Sequence, residues 1–321
     1  MILPYPVHPA ERTDWIVAQR GERNQLDPRR PFAYFVEQER AATGSPVPVA
    51  TIFLTNRECP WRCVMCDLWK NTLTKAVEQG AIPRQIEYAL ARSPSARQIK
   101  LYNSGSFFDL QAIPREDYPA IAQLIQPFER VIVECHPALV GERCWKFREM
   151  LGCPLEVAMG LETAHPEVLE KLNKQMTVEQ FTQAAQKLRA HEVDLRVFLL
   201  VQPPFMPPEH ALEWAQRSVD FAFDCGATAV SLIPTRGGNG AMESLAQIGK
   251  FAAPSLATLE KIMEYGQRQQ RGRVFADLWD LRKNTPHCKQ CWPARTERLA
   301  EMNLSQHLTE EVTCVACGGQ S

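Results

Sequence analysis

Cys59, Cys63 and Cys66 stand at C-x3-C-x2-C spacing in the run Arg57-Glu58-Cys59-Pro60-Trp61-Arg62-Cys63-Val64-Met65-Cys66-Asp67, directly after the apolar stretch Val49 to Leu54. A loop that leaves a buried strand with three thiols so spaced can wrap three corners of one iron–sulfur cube. Three thiolates on a cluster that usually takes four leave one iron open to bind and reduce a small molecule. The same spacing can hold zinc, but structural zinc sites are closed by four ligands, typically in C-x2-4-C pairs, and no fourth ligand is obvious nearby.

A second thiol group lies near the other end. Cys288-Lys289-Gln290-Cys291 and Cys314-Val315-Ala316-Cys317 are two C-x2-C pairs separated by 22 residues. Each pair grips one side of a tetrahedral metal, and two pairs close the shell, which reads as structural zinc or as an auxiliary iron–sulfur cluster. His287 precedes the first pair, but a complete cysteine set needs no further ligand. Around this group, from Arg268 to Arg298, eight Lys or Arg face three acids. Such a run is either solvated surface or a local phosphate-contacting patch, since the whole chain has a formal charge of −1. The four unclustered cysteines, Cys135, Cys144, Cys153 and Cys225, read as small apolar packing residues.

The chain that must position these groups has 321 residues, 45% hydrophobic and 23% charged. That is enough for about two domains, although α/β barrels of roughly this size fold as one. No apolar run is long enough to span a bilayer, and Met1-Ile2-Leu3-Pro4-Tyr5-Pro6 lacks the charged start and apolar core of a signal peptide. Seven of the eleven cysteines sit in motif groups, which in a reducing compartment read as metal ligands rather than disulfides, so a cytoplasmic protein is expected.

Short apolar runs alternate with helical patterns. Candidate strands are Val49–Thr55, Gln98–Tyr102, Val131–Glu134, Leu155–Gly160, Leu195–Val201 and Thr228–Pro234. Thr177-Val178-Glu179-Gln180 has capping-box form, with Val178, Phe181, Ala185 and Leu188 then lining one face. A second helix pattern runs from Glu209 to about Phe223. Six strands alternating with helices predict an α/β fold with a parallel sheet, whose chemistry gathers at the carboxyl ends of the strands. The first cysteine loop follows the first of these strands, as that rule requires.

The loop resembles the signature of radical S-adenosylmethionine (radical SAM) enzymes. What the resemblance implies is a [4Fe-4S] cluster on Cys59, Cys63 and Cys66, with the amino and carboxylate groups of SAM on the fourth iron. It further implies an electron donor such as flavodoxin or ferredoxin, and reductive cleavage of SAM to methionine and a 5′-deoxyadenosyl radical that abstracts hydrogen from a substrate. The family usually carries an aromatic residue before the third cysteine, near the adenine. Here that position is Met65, whose thioether packs against a ring nearly as well, and Trp61 offers further aromatic surface. The implied fold is a partial (β/α)6 TIM-like barrel. Expected boundaries are an N-terminal extension over 1–48, packed on the barrel as helix and loop, the core barrel over 49–280, and a four-cysteine metal-binding module over 281–321.

Two further segments strengthen the resemblance. Tyr102-Asn103-Ser104-Gly105-Ser106-Phe107-Phe108-Asp109 occupies the place of a Gly-Gly-Glu-like motif that touches the SAM amino group. Met159-Gly160-Leu161-Glu162-Thr163, followed by Leu169-Glu170-Lys171-Leu172-Asn173-Lys174, looks like the corresponding segment of the Elongator-catalytic-subunit and methylthiotransferase branches. Asn103, Ser104, Gly105 and Ser106 combine small size with polar groups suited to close backbone approach to a polar ligand. Glu134 and Glu162 end or follow apolar strands, where a carboxylate is costly unless paired. Either can bind the ribose or amino group of SAM or cap a neighbouring helix, with the ligand role favoured for Glu162. Arg196, inside the fifth candidate strand, is either a partner of the SAM carboxylate or half of a buried salt bridge. Gly237-Gly238-Asn239-Gly240 reads as a flexible turn that can border SAM or substrate.

Taken together these motifs most closely resemble the archaeosine synthase radical SAM subunit family, which acts on tRNA by cleaving a C–N bond in a lysine attached to a deazaguanine base. The C-terminal cysteine pairs do not map onto that family. Three readings follow: a radical SAM enzyme modifying a nucleoside in tRNA, a radical SAM enzyme on a peptide or small metabolite with an auxiliary cluster, and a non-enzymatic metal-stabilised binding protein. Whether the enzyme is a lyase, transferase or oxidoreductase stays open. No catalytic acid or base is assigned, because the cofactor does the chemistry and the protein orients it.

Overall fold

The apolar runs fold as one sheet in the computed structural model, which describes residues 4–317. Its strands are β1 (Ala33–Arg40), β2 (Pro46–Phe53), β3 (Gln98–Tyr102), β4 (Arg130–Glu134), β5 (Leu155–Glu162), β6 (Asp194–Val201), β7 (Ala229–Pro234) and β8 (Arg273–Ala276), neighbours in the sheet following chain order. β1 runs antiparallel to β2, and every later pair is parallel. The helices are α1 (Pro9–Ala18), α2 (Ala81–Leu90), α3 (Tyr118–Leu124), α4 (Glu142–Met150), α5 (Pro166–Lys171), α6 (Val178–Ala190), α7 (Pro208–Asp224), α8 (Ala241–Gln247), α9 (Leu256–Arg268), α10 (Leu281–Asn284) and α11 (Trp292–Ser305). Thr177 and Gln180 form the reciprocal capping box that starts α6. None of these helices is long and apolar enough to cross a membrane.

All six expected strands are present within a residue or a few of their expected bounds. Side chains such as Ile99, Leu101, Val131, Val133, Val157, Val197 and Leu199 are buried in one apolar core, as parallel strands covered by helices require. The structure adds two strands. β1 lies in the segment expected to be extension without strand pattern, and β8 in the basic run near the end. β1 mixes polar with apolar residues and β8 is only four residues long, so neither shows an extended apolar run, and Glu39 and Arg273 turn into a polar interior. Glu39 of β1 pairs with Arg196 at 2.7 Å, and Arg273 of β8 pairs with Glu156 at 2.9 Å.

These residues belong to a buried ionic floor at the amino ends of the parallel strands. Arg196 also donates to Glu156 at 2.6 Å, Lys100 bonds Glu37 and Glu39, and Arg130 bonds Glu156 and Asp194. Four cations meet four carboxylates, so the group is neutral, and removing one member would leave an uncompensated buried charge. Arg196 is therefore corrected from the SAM alternative to the salt-bridge one: it is the third residue of β6, at the wrong end of the sheet for the cofactor, and its donors are already taken.

The sheet is open between β1 and β8, and α11 packs against both. Asn303 exchanges two hydrogen bonds with the backbone of Ala276 (2.8 and 2.9 Å), and Gln306, just past the helix, does so with Val274 (2.7 and 2.9 Å). Two side-chain amides thus satisfy the exposed edge that a further strand would otherwise cover.

Candidate functional site

The first cysteine loop leaves β2 at the carboxyl end of the sheet and is held from two sides. Val64 N–H donates to Leu172 O at 2.9 Å, and Asn173 Nδ2 donates to Arg62 O at 2.8 Å. Asn239 Nδ2 donates to Val64 O (2.7 Å) and Cys66 O (3.1 Å). The Gly-Gly-Asn-Gly turn therefore anchors the loop. Gly240, at φ 87°, is required there, since a Cβ would lie 1.9 Å from Gln19 O. The three thiols are half-buried. Burial pushes each of them up to about 12, so their thiolates need a cation to be stable.

The expected ligand-binding residues gather beside them. The 103–106 loop follows β3 and passes so close to the cysteine loop that a Cβ on Gly105 would stand 3.2 Å from Cys59 Cβ. Glu134 Oε2 accepts the Asn103 N–H at 2.8 Å. Burial pushes this carboxyl up to about 7, against the pull of the backbone N–H groups of Asn103, Gly105 and Ser104. Glu134 thus holds the loop. Both polar atoms of the Asn103 side chain, and Ser104 Oγ, are buried without a hydrogen-bond partner. Such groups are costly unless something else satisfies them. Ser106 is turned away, its hydroxyl bonding the Cys135 thiol at 3.5 Å.

Across the sheet, Glu162 adopts φ 67° at the end of β5 and accepts Lys174 Nζ at 2.6 Å. Gly160 makes room for this pair, because a Cβ there would lie 2.1 Å from Glu162 Oε1. Burial works against the Lys174 ammonium, but Glu162 outweighs it and raises its pKa above the usual lysine value. The cation also faces Cys63 and Cys59 electrostatically. Lys174 O accepts from His136 Nε2 at 3.1 Å, while His136 Nδ1 accepts the Ala138 N–H at 3.2 Å. That pattern fixes the Nε2–H tautomer, and burial holds the ring neutral, with its pKa down to about 3. Trp61 stacks on His136 at 3.6 Å between centroids and 11° between planes. Met65 packs half-buried against the core.

Lys174, His136 and Asn173 escaped the sequence reading. The signal for two of them was Asn173-Lys174 at the end of the Leu169–Lys174 segment, and His136 had none.

At the other end, the sulfurs of Cys288, Cys291, Cys314 and Cys317 all lie within 4.8 Å of one another, with Cys291 and Cys317 at 3.7 Å. Cys291 caps α11. Backbone N–H groups of Cys291 and Gln290 lower the Cys288 thiol, which favours the ligating thiolate. The surrounding basic run is largely neutralised: Arg268, Arg271, Arg273, Lys283, Arg295 and Arg298 each pair with a carboxylate. Of the two readings of this run, that pairing favours solvated surface over a phosphate-contacting patch.

The Radical SAM superfamily profile matches residues 53–217. An uncharacterized protein of Methanocaldococcus jannaschii is 23% identical over 309 residues, 89% of this chain and 84% of that protein. Archaeosine synthase subunit beta of Methanosarcina acetivorans is 25% identical over 282 residues, covering 82% and 81%. Among solved structures, the archaeal Methanocaldococcus infernus Elp3 aligns with TM-score 0.47 at 15% identity, over 60% of this chain and 50% of that one. A profile match over more than half of the chain, running from the end of β2 through the cysteine loop to α7, makes this protein a member of the radical SAM superfamily.

Proposed function

We propose that this enzyme reductively cleaves SAM at a [4Fe-4S] cluster held by Cys59, Cys63 and Cys66, and that its substrate is a nucleoside in tRNA. The observation that carries the first part is the meeting of three thiols with the unpartnered buried polar atoms of Asn103 and Ser104 at the carboxyl end of the sheet. That donor set fits a three-cysteine cluster with a polar cofactor beside it. When bound, the cluster supplies the electron that splits SAM to methionine and a 5′-deoxyadenosyl radical.

The chain's own residues orient and insulate. Asn103 and Ser104 hydrogen-bond SAM, Gly105 lets the backbone approach, and Glu134 holds that loop in place. Glu162, paired to Lys174, presents a carboxylate to the polar groups of SAM, and Met65 and Trp61 bound the adenine side. The tRNA part rests on relatives named archaeosine synthase subunit beta. The setting is the cytoplasm, where a flavodoxin- or ferredoxin-like donor supplies electrons.

The C-terminal thiols, in a module spanning 281–321, hold one zinc ion. Zn–S bonds of about 2.3 Å place tetrahedral sulfurs about 3.8 Å apart, and Cys291 and Cys317 stand at 3.7 Å. A cube, with each thiolate on a different corner, holds its sulfurs farther apart, which argues against an auxiliary cluster and the peptide or metabolite reading tied to it.

Anaerobic reconstitution with iron and sulfide, followed by metal counts and a dithionite-driven assay for 5′-deoxyadenosine, tests this. The expected result is about four iron per chain plus zinc, with cleavage lost in Cys63→Ala while thermal stability is kept. Cleavage retained in that variant would overturn the site, and about eight iron would return the substrate search to peptides and metabolites.

A further inference from the structure

The cysteine loop has an outer flank, and its charge is not balanced as the C-terminal run is. One cavity of about 310 Å³ is lined there by Arg23, Arg57, Arg62, Glu58, Asp109 and Thr74. A second, of about 320 Å³, shares Thr74 and adds Arg29, Lys75, Arg84 and Glu78. Three cations against two carboxylates in the first, and three against one in the second, leave an excess of +1 and +2 on a chain whose formal charge is −1.

The pairing within them sharpens the point. Glu58 already serves three guanidinium groups, those of Arg20, Arg23 and Arg62. Arg57 has no carboxylate within 4.0 Å among the described residues, and its guanidinium donates to the neutral Gln111. Arg29, Lys75 and Arg84 are exposed and likewise without an ion pair. A planar guanidinium with unused donors in a concave site matches a tetrahedral oxyanion better than a point contact on a flat surface.

We infer that these two cavities bind successive phosphates of an RNA backbone laid across the cysteine loop, with Arg57 as the anchor of the first and Lys75 as a contact in the second. The ligand is a polyanion with discrete, repeated phosphates. Two separate concavities meeting at Thr74 suit that repeat better than the continuous acidic face of a protein partner. The inference rests on the tRNA reading above. It locates the contact beside the cluster loop and away from the C-terminal module.

The test is binding of a labelled tRNA transcript at several salt concentrations by wild type, Arg57→Gln, Arg57→Lys and Lys75→Gln. Each lost phosphate contact should lower the slope of log K against log salt by about one and weaken binding at every salt concentration. Arg57→Lys, which keeps the charge, should recover most of the slope. Lys75, exposed on its loop, keeps the test valid should Arg57→Gln fold poorly. Unchanged slopes in both Gln variants, with wild type binding tRNA, would overturn this site and leave the tRNA reading standing. No tRNA binding by wild type would overturn both, and slowed cluster reduction by an acidic carrier protein in the variants would then reassign the flank to that partner.

Discussion

Gly105→Ala is the sharpest probe of how the two loops meet. The added methyl would stand 3.2 Å from Cys59 Cβ, 3.6 Å from Cys59 Cα and 3.8 Å from Asn103 O. Carbon atoms prefer about 3.5–4.0 Å, so the pair is short by about half an ångström. The crowding atoms are a Cβ and a Cα, which cannot swing aside as the tip of a long side chain can. Either Cys59 retreats, spoiling the spacing of the three thiols, or the 103–106 loop retreats and stretches its hydrogen bond to Glu134. Overpacking of this kind costs about 1–3 kcal/mol, and in a chain of this size each kcal/mol lowers Tm by roughly 2–4 °C at most. The expected outcome is a measurable fall in Tm of the metal-free protein, together with reduced iron uptake on reconstitution. Gly152→Ala is the control, because a Cβ there meets nothing within 4 Å, and it should be neutral or slightly stabilising. If Gly105→Ala matched the Gly152→Ala control in both Tm and iron content, the claimed contact between the loops would be wrong.

Acid stability tests the ionic floor. Burial raises the Glu156 carboxyl, but Arg196, Arg273 and Arg130 outweigh it and hold its pKa at about 2, below the ordinary 4.5. The native state then binds fewer protons than the unfolded chain between those values, so the stabilisation is complete above pH 4.5 and lost as pH falls through about 2. The amount is on the order of 3 kcal/mol, visible as a urea midpoint that drops below pH 4.5, and a profile no flatter in Glu156→Gln would contradict it. At the open edge of the sheet, Gln306→Ala leaves the Val274 N–H without its partner and the Val274 C=O with only the longer 3.4 Å bond from Gln267, at a cost of about 1–3 kcal/mol. Hydrogen exchange should show the Val274 amide losing protection before the amides of β5, and equal protection in the variant would refute the edge-sealing role.

The sequence alone determined what is local. Ligand type and spacing, as in Cys59, Cys63 and Cys66 or the two C-terminal pairs, depend on the covalent order of the chain. The six continuous apolar strands and the capping box at Thr177 are likewise written in neighbouring residues. The short or mixed strands were not legible: β1 and the four-residue β8 carry Glu39 and Arg273 into a charged interior, and no pattern in either segment announces a partner elsewhere. Arg196 could be read two ways until its partner Glu39, 157 positions away, was seen beside it. The same holds for Lys174 facing the thiols, for His136 under Trp61, and for a basic run that the fold neutralises while leaving the flank at Arg57 charged. Tertiary structure alone decided these, because Coulomb and hydrogen-bond energies depend on distance in space, and a charge's role is set by what folding brings within a few ångströms of it.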